Sequence, residues 1–118
     1  MERMNDIRAS EGGEEECISM DQIPIRELVA TRGIQNEMEE TDGFREFCMH
    51  CVIRHRNHDW GDLCDEDKQS NDWAVEHGER LLSAYIIPKY FCLGYAEKIW
   101  IITEADRSYT TILFPHEY

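Results

Sequence analysis

Residues 98–114 predict a β-hairpin, and this hairpin limits what the rest of the chain can fold into. Residues 99–103 are almost wholly apolar and β-branched, and residues 109–114 mix threonine with apolar side chains. Both compositions are typical of strands. The four residues between them, Glu-Ala-Asp-Arg at 104–107, are costly to bury without partners. We therefore expect the hairpin to be the structural centre of the fold and its charged tip to be a candidate surface site.

The remaining elements follow from hydrophobic periodicity and from turn residues. Residues 26–30 could form a short edge strand, residues 34–40, 44–58 and 65–77 helices, and residues 80–87 a strand that Pro88 ends. Sequential strands usually pair as neighbours, which predicts a three-stranded antiparallel meander over 80–87, 97–103 and 108–114. The expected fold class is α+β, with this C-terminal meander packed against two or three helices.

The length of 118 residues corresponds to one domain. Residues 1–20 are acidic and lack periodicity, so we expect a flexible tail followed by a single α+β domain over 21–118. No stretch has the pattern of a signal peptide or the length of an apolar membrane span. The five cysteines are an odd number. Together these features predict a cytoplasmic protein of a bacterial host cell, with free thiols and no membrane contact.

The charge of the chain points to a class of partner. The sequence holds 25 Asp and Glu against 12 Lys and Arg, for a formal net charge of −13. Such a chain repels nucleic acid and is attracted to basic surfaces, including those of nucleic-acid-binding proteins, although solubility alone would also explain the charge. The candidate partner-binding residues are Asp62, Asp65, Glu66, Asp67, Asp72, Glu76 and Glu79, with Glu104 and Asp106 at the hairpin tip.

Cysteine and histidine side chains cluster on one face of the predicted helix over 44–58. Cys48, Cys51, His55 and His58 share that face, and Cys64 follows. Zinc takes such ligands. A helix rises about 1.5 Å per residue, so Cys48 and His58 lie about 15 Å apart along its axis. One helix therefore cannot bring all four side chains to one ion. The zinc candidates are therefore Cys51, His55 and Cys64, against the alternative of a buried apolar stripe and no cofactor.

A set of carboxylates suggests a second chemistry, metal-assisted cleavage of phosphodiesters. Those that could hold Mg²⁺ are Asp59, Asp62, Glu104, Asp106 and Glu117, with His55 as a base. No Gly-rich loop or basic cluster would position a phosphate, and the net charge would repel the substrate. The alternative is that Asp59 and Asp62 cap a turn while Glu104 and Asp106 pair with Arg107. We therefore expect no enzymatic activity.

Several short motifs in residues 23–118 stand out. They are residues 29–33, His55, 59–62, 66–67, Asn71, 80–85, 117–118 and, most specifically, the stretch WIITEADRS at 100–108. With these motifs the chain resembles a family of small uncharacterised proteins from bacterial plasmids and other mobile elements. Labels such as plasmid-related or restriction-modification associated are common in that family. The resemblance implies a genetic setting in which host-defence proteins are plausible partners.

The leading hypothesis is an anti-CRISPR or antirestriction protein of a plasmid or phage. It would imitate DNA and occupy the basic nucleic-acid-binding surface of a Cas effector or restriction enzyme, without binding nucleic acid itself. In this interpretation most of the carboxylates that imitate DNA phosphates lie on the helix over 65–77, and the hairpin holds that helix in place. The alternatives are a small metal-dependent enzyme acting on nucleic acid, or a structural or regulatory dimer that uses the apolar connection around Tyr90 and Tyr95.

Overall fold

The computed structural model describes residues 22–118, so the tail predicted over residues 1–20 lies outside the described residues. The elements within this range are β1 (Leu28–Ala30), α1 (Arg32–Glu40), α2 (Phe44–Arg56), α3 (Asp65–His77), β2 (Leu81–Ile86), β3 (Lys98–Thr103) and β4 (Thr110–Leu113). Short 3-10 turns lie at Lys89–Phe91 and Pro115–Glu117. The α+β class is confirmed, and each helix and strand lies within a few residues of its predicted position.

The four strands form one mixed sheet in the order β1-β4-β3-β2. Strands β2 and β3 are antiparallel with Leu81 opposite Thr103, and β3 and β4 are antiparallel with Thr103 opposite Thr110. Strand β1 lies parallel to β4, with Leu28 opposite Thr110. The predicted three-stranded meander is therefore incomplete as a description of the sheet. A parallel pair needs a long crossover, and here everything from α1 to β3 lies between the two strands.

The main core lies between one face of the sheet and helices α1 and α2. Phe44, Cys48, Cys51, Val52 and His55 are the buried residues of α2. They follow the 3.6-residue period, which confirms Cys48, Cys51 and His55 on one buried face. His58, predicted on the same face, lies beyond the end of the helix with a φ of +65°. From the sheet, β3 and β4 contribute a row of fully buried isoleucines, Ile99, Ile101 and Ile112.

The connection between β2 and β3 packs partly on this core and is partly exposed. The ring of Phe91 meets that of Phe44 edge to face at 5.5 Å. The side chain of Tyr95 contacts the ring of Phe114 and donates a hydrogen bond to Glu37. Tyr90, in contrast, is 78% exposed. A dimer formed through this connection stays a prediction.

Helix α3 adds little to the core. Its buried residues are Asn71 and Ala74, and Ala74 joins Ile23, Trp60 and Leu81 in a second, smaller cluster. Because apolar burial is small, polar contacts in the middle and at the carboxyl end of the helix must contribute much of what fixes its position. The rest of its surface faces solvent, as its sequence predicts.

Candidate functional site

The acidic side chains predicted between residues 62 and 79 all lie at the surface. Asp62, Asp65, Glu66, Asp67, Asp72, Glu76 and Glu79 are each exposed. Three of them occupy the first turn of α3, where the helix dipole favours negative charge. Within residues 22–118 the salt bridges are Arg54–Asp59 and Arg80–Glu104. None of the seven carboxylates is therefore neutralised by a cation of the described chain.

Two of the seven carboxylates bind groups of the protein itself. Asp72 Oδ1 accepts a hydrogen bond from the indole Nε1 of Trp60 at 2.9 Å. Asp62 Oδ2 accepts one from the backbone N–H of Ile86, also at 2.9 Å. The other five have no such partner within residues 22–118, and we call them the acidic surface: Asp65, Glu66, Asp67, Glu76 and Glu79.

The segment around Gly61 explains why Asp62 has a structural role. It lies along the outer edge of β2, with Gly61 bridged in parallel to Ala84. The backbone N–H of Asp62 donates to Ala84 O at 2.7 Å, and Ala84 N donates to Trp60 O at 3.3 Å. Gly61 has a φ of +77°, and a Cβ there would lie 2.0 Å from Ala84 O. Only glycine fits this close approach without strain.

Asn71 ties α3 to the same edge of the sheet. Its Nδ2 donates to Leu82 O, and its Oδ1 accepts from Leu82 N at 3.2 Å. One buried amide therefore satisfies both outward-facing backbone groups of a β2 residue. Together with the Gly61 segment it closes the edge of the sheet, which would otherwise be open to another strand.

Arg107 at the hairpin tip holds the carboxyl end of α3. Its Nη1 donates to Glu79 O at 2.7 Å and its Nη2 to Ala74 O at 3.3 Å. The same guanidinium also contacts the carbonyls of Glu104 and Ala105 at 3.1 and 3.2 Å. A positive charge at this position favours the carboxyl end of a helix. The expected role of the hairpin, to hold the acidic helix in place, is consistent with these contacts.

The expected pairing of Arg107 with Glu104 and Asp106 is wrong. Glu104 Oε1 lies 3.8 Å from Nε of Arg80 instead. Asp106 accepts a hydrogen bond from the backbone N–H of Ser108 at 2.9 Å, and its contacts with Ser108 lower the pKa of its carboxyl. Arg107, whose φ is +63° in the turn at the hairpin tip, instead donates to the backbone carbonyls of Glu79 and Ala74. Of the two tip carboxylates, Asp106 is the exposed one.

His55 lies at the centre of a buried polar network. Its Nδ1 is 2.6 Å from Ser83 Oγ and its Nε2 is 2.9 Å from Thr103 Oγ1. Thr103 in turn bonds the hydroxyl of Thr110 at 2.8 Å. The network connects α2 with β2, β3 and β4 at a position without solvent exposure. Burial, reinforced by the charges of Arg107 and His58, lowers the pKa of His55 to about 4.

The zinc candidates do not share one site. Cys51 is buried in the core, where desolvation raises the pKa of its thiol to about 12. Both ring nitrogens of His55 are engaged by hydroxyls. Cys64 is exposed at the N-cap position of α3. Zinc needs convergent thiolate and imidazole ligands. In the described part of the chain, no group of three or more His, Cys, Asp and Glu is arranged to hold a metal ion.

The carboxylates considered for magnesium are also separated. Asp59 pairs with Arg54 at 2.8 Å, beside the outer edge of β2. Glu117 lies beyond the opposite end of β4 from the hairpin tip. There it accepts hydrogen bonds from Thr31 Oγ1 at 2.5 Å, Gly33 N at 2.9 Å and Phe114 N at 3.0 Å. These bonds lower the pKa of its carboxyl and fix the first turn of α1. Glu117 therefore has a structural role.

One exposed aromatic pair interrupts the acidic surface. Trp73 is 54% exposed and its ring stacks on that of His77 at 4.1 Å with 12° between the planes. His77 Nδ1 is also 2.8 Å from Trp73 O, so the backbone fixes the stack. Trp73 lines an open cavity of about 740 Å³, which we call the Trp73 cleft, together with Glu66, Asp67, Ser70, Glu79 and Arg80 among others. Trp73 was not among the site residues predicted from the sequence. Its position between acids on a polar helix was the available signal.

Two further observations concern the chain as a whole. Across residues 22–118, no helix is both long enough and apolar enough to cross a membrane. Comparisons with protein-family models, with curated proteins and with solved structures found no match.

Proposed function

We propose that this protein inhibits a bacterial nucleic-acid-targeting defence complex by binding its basic nucleic-acid-binding surface. The acidic surface of α3 makes the contact in the cytoplasm of the host, and no catalysis takes place. The resemblance to proteins of plasmids and other mobile elements directs the choice of partner to a Cas effector or a restriction enzyme.

The single observation that carries the proposal is that no carboxylate of the acidic surface, which lies on a fixed helix, forms a salt bridge with a cation of residues 22–118. A rise of about 1.5 Å per residue places Asp65 and Glu76 about 16 Å apart along the axis. Over that length one DNA strand presents about five phosphates, because they recur every 3.4 Å along each strand. Within the same span the acidic surface presents four carboxylates, and Glu79 follows just beyond the helix. This charge density is close to that of one strand and supports imitation of a short stretch of it.

The way α3 is held also supports the proposal. Asn71 fixes its middle against β2, and Arg107 fixes its carboxyl end against the hairpin. Carboxylates on a preorganised scaffold lose less conformational entropy on binding than those on a mobile tail. A charged surface of this kind gives fast association that weakens as salt increases.

The experiment compares two variants with the same change in net charge. The surface variant carries Asp65→Asn, Glu66→Gln, Asp67→Asn and Glu76→Gln. The control variant neutralises four exposed acids on and around α1 and α2, namely Glu39→Gln, Glu40→Gln, Asp42→Asn and Glu46→Gln. Each purified protein is added to a panel of Cas effectors and restriction endonucleases, and DNA cleavage is measured at several salt concentrations.

We expect the unmodified protein and the control variant to inhibit at least one effector. The surface variant should need at least about tenfold more protein for the same inhibition, because each lost ionic contact weakens binding. Equal inhibition by all three proteins, or equal loss in both variants, would show that this surface is not the contact. No inhibition of any effector by the unmodified protein would contradict the proposed function itself.

A further inference from the structure

We infer that the Trp73 cleft receives an arginine side chain of the basic partner. The inference rests on the proposed function and adds the chemistry of the group that is recognised. Trp73 is 54% exposed on a largely polar helix, so its indole offers apolar surface that a partner can cover.

His77 covers one face of the Trp73 indole, with ring centroids 4.1 Å apart and nearly parallel planes. Because the imidazole is itself fixed by the Trp73 carbonyl, the pair has little freedom to rearrange. Within residues 22–118 the Trp73 side chain is still 54% exposed, and it lines the Trp73 cleft, so a planar group that enters the cleft can reach the indole.

The charges around the indole select a cation. Glu66, Asp67 and Glu79 line the same cleft. Arg80 lines it too, but its guanidinium is engaged elsewhere: Nη1 donates to Tyr118 Oη at 2.8 Å, and Nε lies 3.8 Å from Glu104 Oε1. Among the residues that the structure describes, the cleft is therefore lined by one indole, three carboxylates and one cation that is already paired.

Among biological cations, this arrangement suits arginine better than lysine. A guanidinium is planar, so it stacks on an indole while its N–H groups donate in pairs to carboxylates. An ammonium ion has no plane to stack and holds its hydration more strongly. Basic nucleic-acid-binding surfaces are rich in both residues, so the cleft would add a preference that net charge alone cannot supply.

The test uses octa-arginine and octa-lysine peptides, which carry the same charge, titrated into the full chain by calorimetry at low and at physiological ionic strength. We expect octa-arginine to bind about fivefold more tightly, the usual size of one cation–π contact. Trp73→Ala should weaken octa-arginine about fivefold and leave octa-lysine unchanged. Trp73→Phe should retain part of the preference. Circular dichroism checks that both variants are folded.

The possible outcomes show whether the arginine preference fails alone or together with the proposed function. Equal affinity for the two peptides, or an equal effect of Trp73→Ala on both, overturns the arginine preference while leaving charge-driven binding intact. Failure of both peptides to bind the unmodified protein overturns the inference and the proposed function together. Loss of peptide binding in the surface variant, but not in the control variant, places the peptides on α3.

Discussion

The buried imidazole of His55 should make the stability of this protein depend on pH between about 6.5 and 4. Burial lowers the pKa of His55 to about 4, whereas the unfolded chain exposes a histidine of ordinary pKa 6.5. The unfolded state therefore takes up a proton more readily than the folded state. The stability that depends on a neutral His55 is fully present above pH 6.5 and is lost as pH falls toward 4.

The size of the effect follows from the two pKa values. The difference of pKa between the folded and unfolded states lowers the free energy of unfolding by about 2 kcal/mol at pH 5, and by about 3 kcal/mol near pH 4. The structural reason is local. Protonation turns both ring nitrogens into donors, so Ser83 and Thr103 must both accept, and it leaves a charge in the core.

The assay is urea unfolding of the unmodified protein and of His55→Gln at pH values from 7 to 5. Glutamine can bond both hydroxyls but does not titrate, so the difference between the two proteins isolates the imidazole. We expect that difference to change by about 2 kcal/mol over this range, or about 1 M in the urea midpoint. His50→Gln, an exposed histidine on the same helix, controls for the loss of an imidazole. A difference that stays constant with pH would refute the reasoning.

Two further predictions concern the contacts that hold α3 and the Gly61 segment in place. Arg107→Ala should lower the free energy of unfolding by about 2 kcal/mol, because a charged donor to four carbonyls is lost. Hydrogen exchange should show faster opening at the carboxyl end of α3, and unchanged exchange there would contradict this role of Arg107. Gly61→Ala should cost about 3 kcal/mol, combining positive φ with the clash against Ala84 O. Gly78→Ala, at similar φ with no atom within 4 Å, should cost only about 1 kcal/mol, and equal thermal shifts for the two would argue against the clash.

The elements of the fold were predictable because their signals are local. The alternating and β-branched pattern over 98–114 identifies β3 and β4, and the spacing of Phe44, Cys48, Cys51 and His55 identifies the buried face of α2. These periodicities need only a dozen neighbouring residues to be visible. The pairing of β1 with β4 is different, since nothing in three residues indicates a parallel partner some 80 positions away.

The roles of individual polar residues were less predictable for the same reason. His55 was placed on the correct helix face, but its partners Ser83 and Thr103 lie 28 and 48 residues away in sequence. Arg107 was expected to pair with the nearest carboxylates. It instead contacts carbonyls of Ala74 and Glu79, which only the tertiary fold brings close. Composition shows which groups can bond, whereas topology determines which of them meet.

The acids of this chain illustrate that distinction most directly. Asp62 and Asp72 are as exposed as their neighbours and indistinguishable from them in composition, yet each satisfies a fixed donor of the fold. Within residues 22–118 the acidic surface has no such donor, so the repulsion among its carboxylates is opposed by the dipole of α3 at its first turn and by the contacts that hold this helix. A helix with so little apolar burial keeps these like charges together because Asn71 and Arg107 anchor it. The repulsion lowers the stability of the folded chain, and a cationic partner would relieve it on binding. We therefore expect the function to lie on the acidic surface, and not on the more distinctive hairpin.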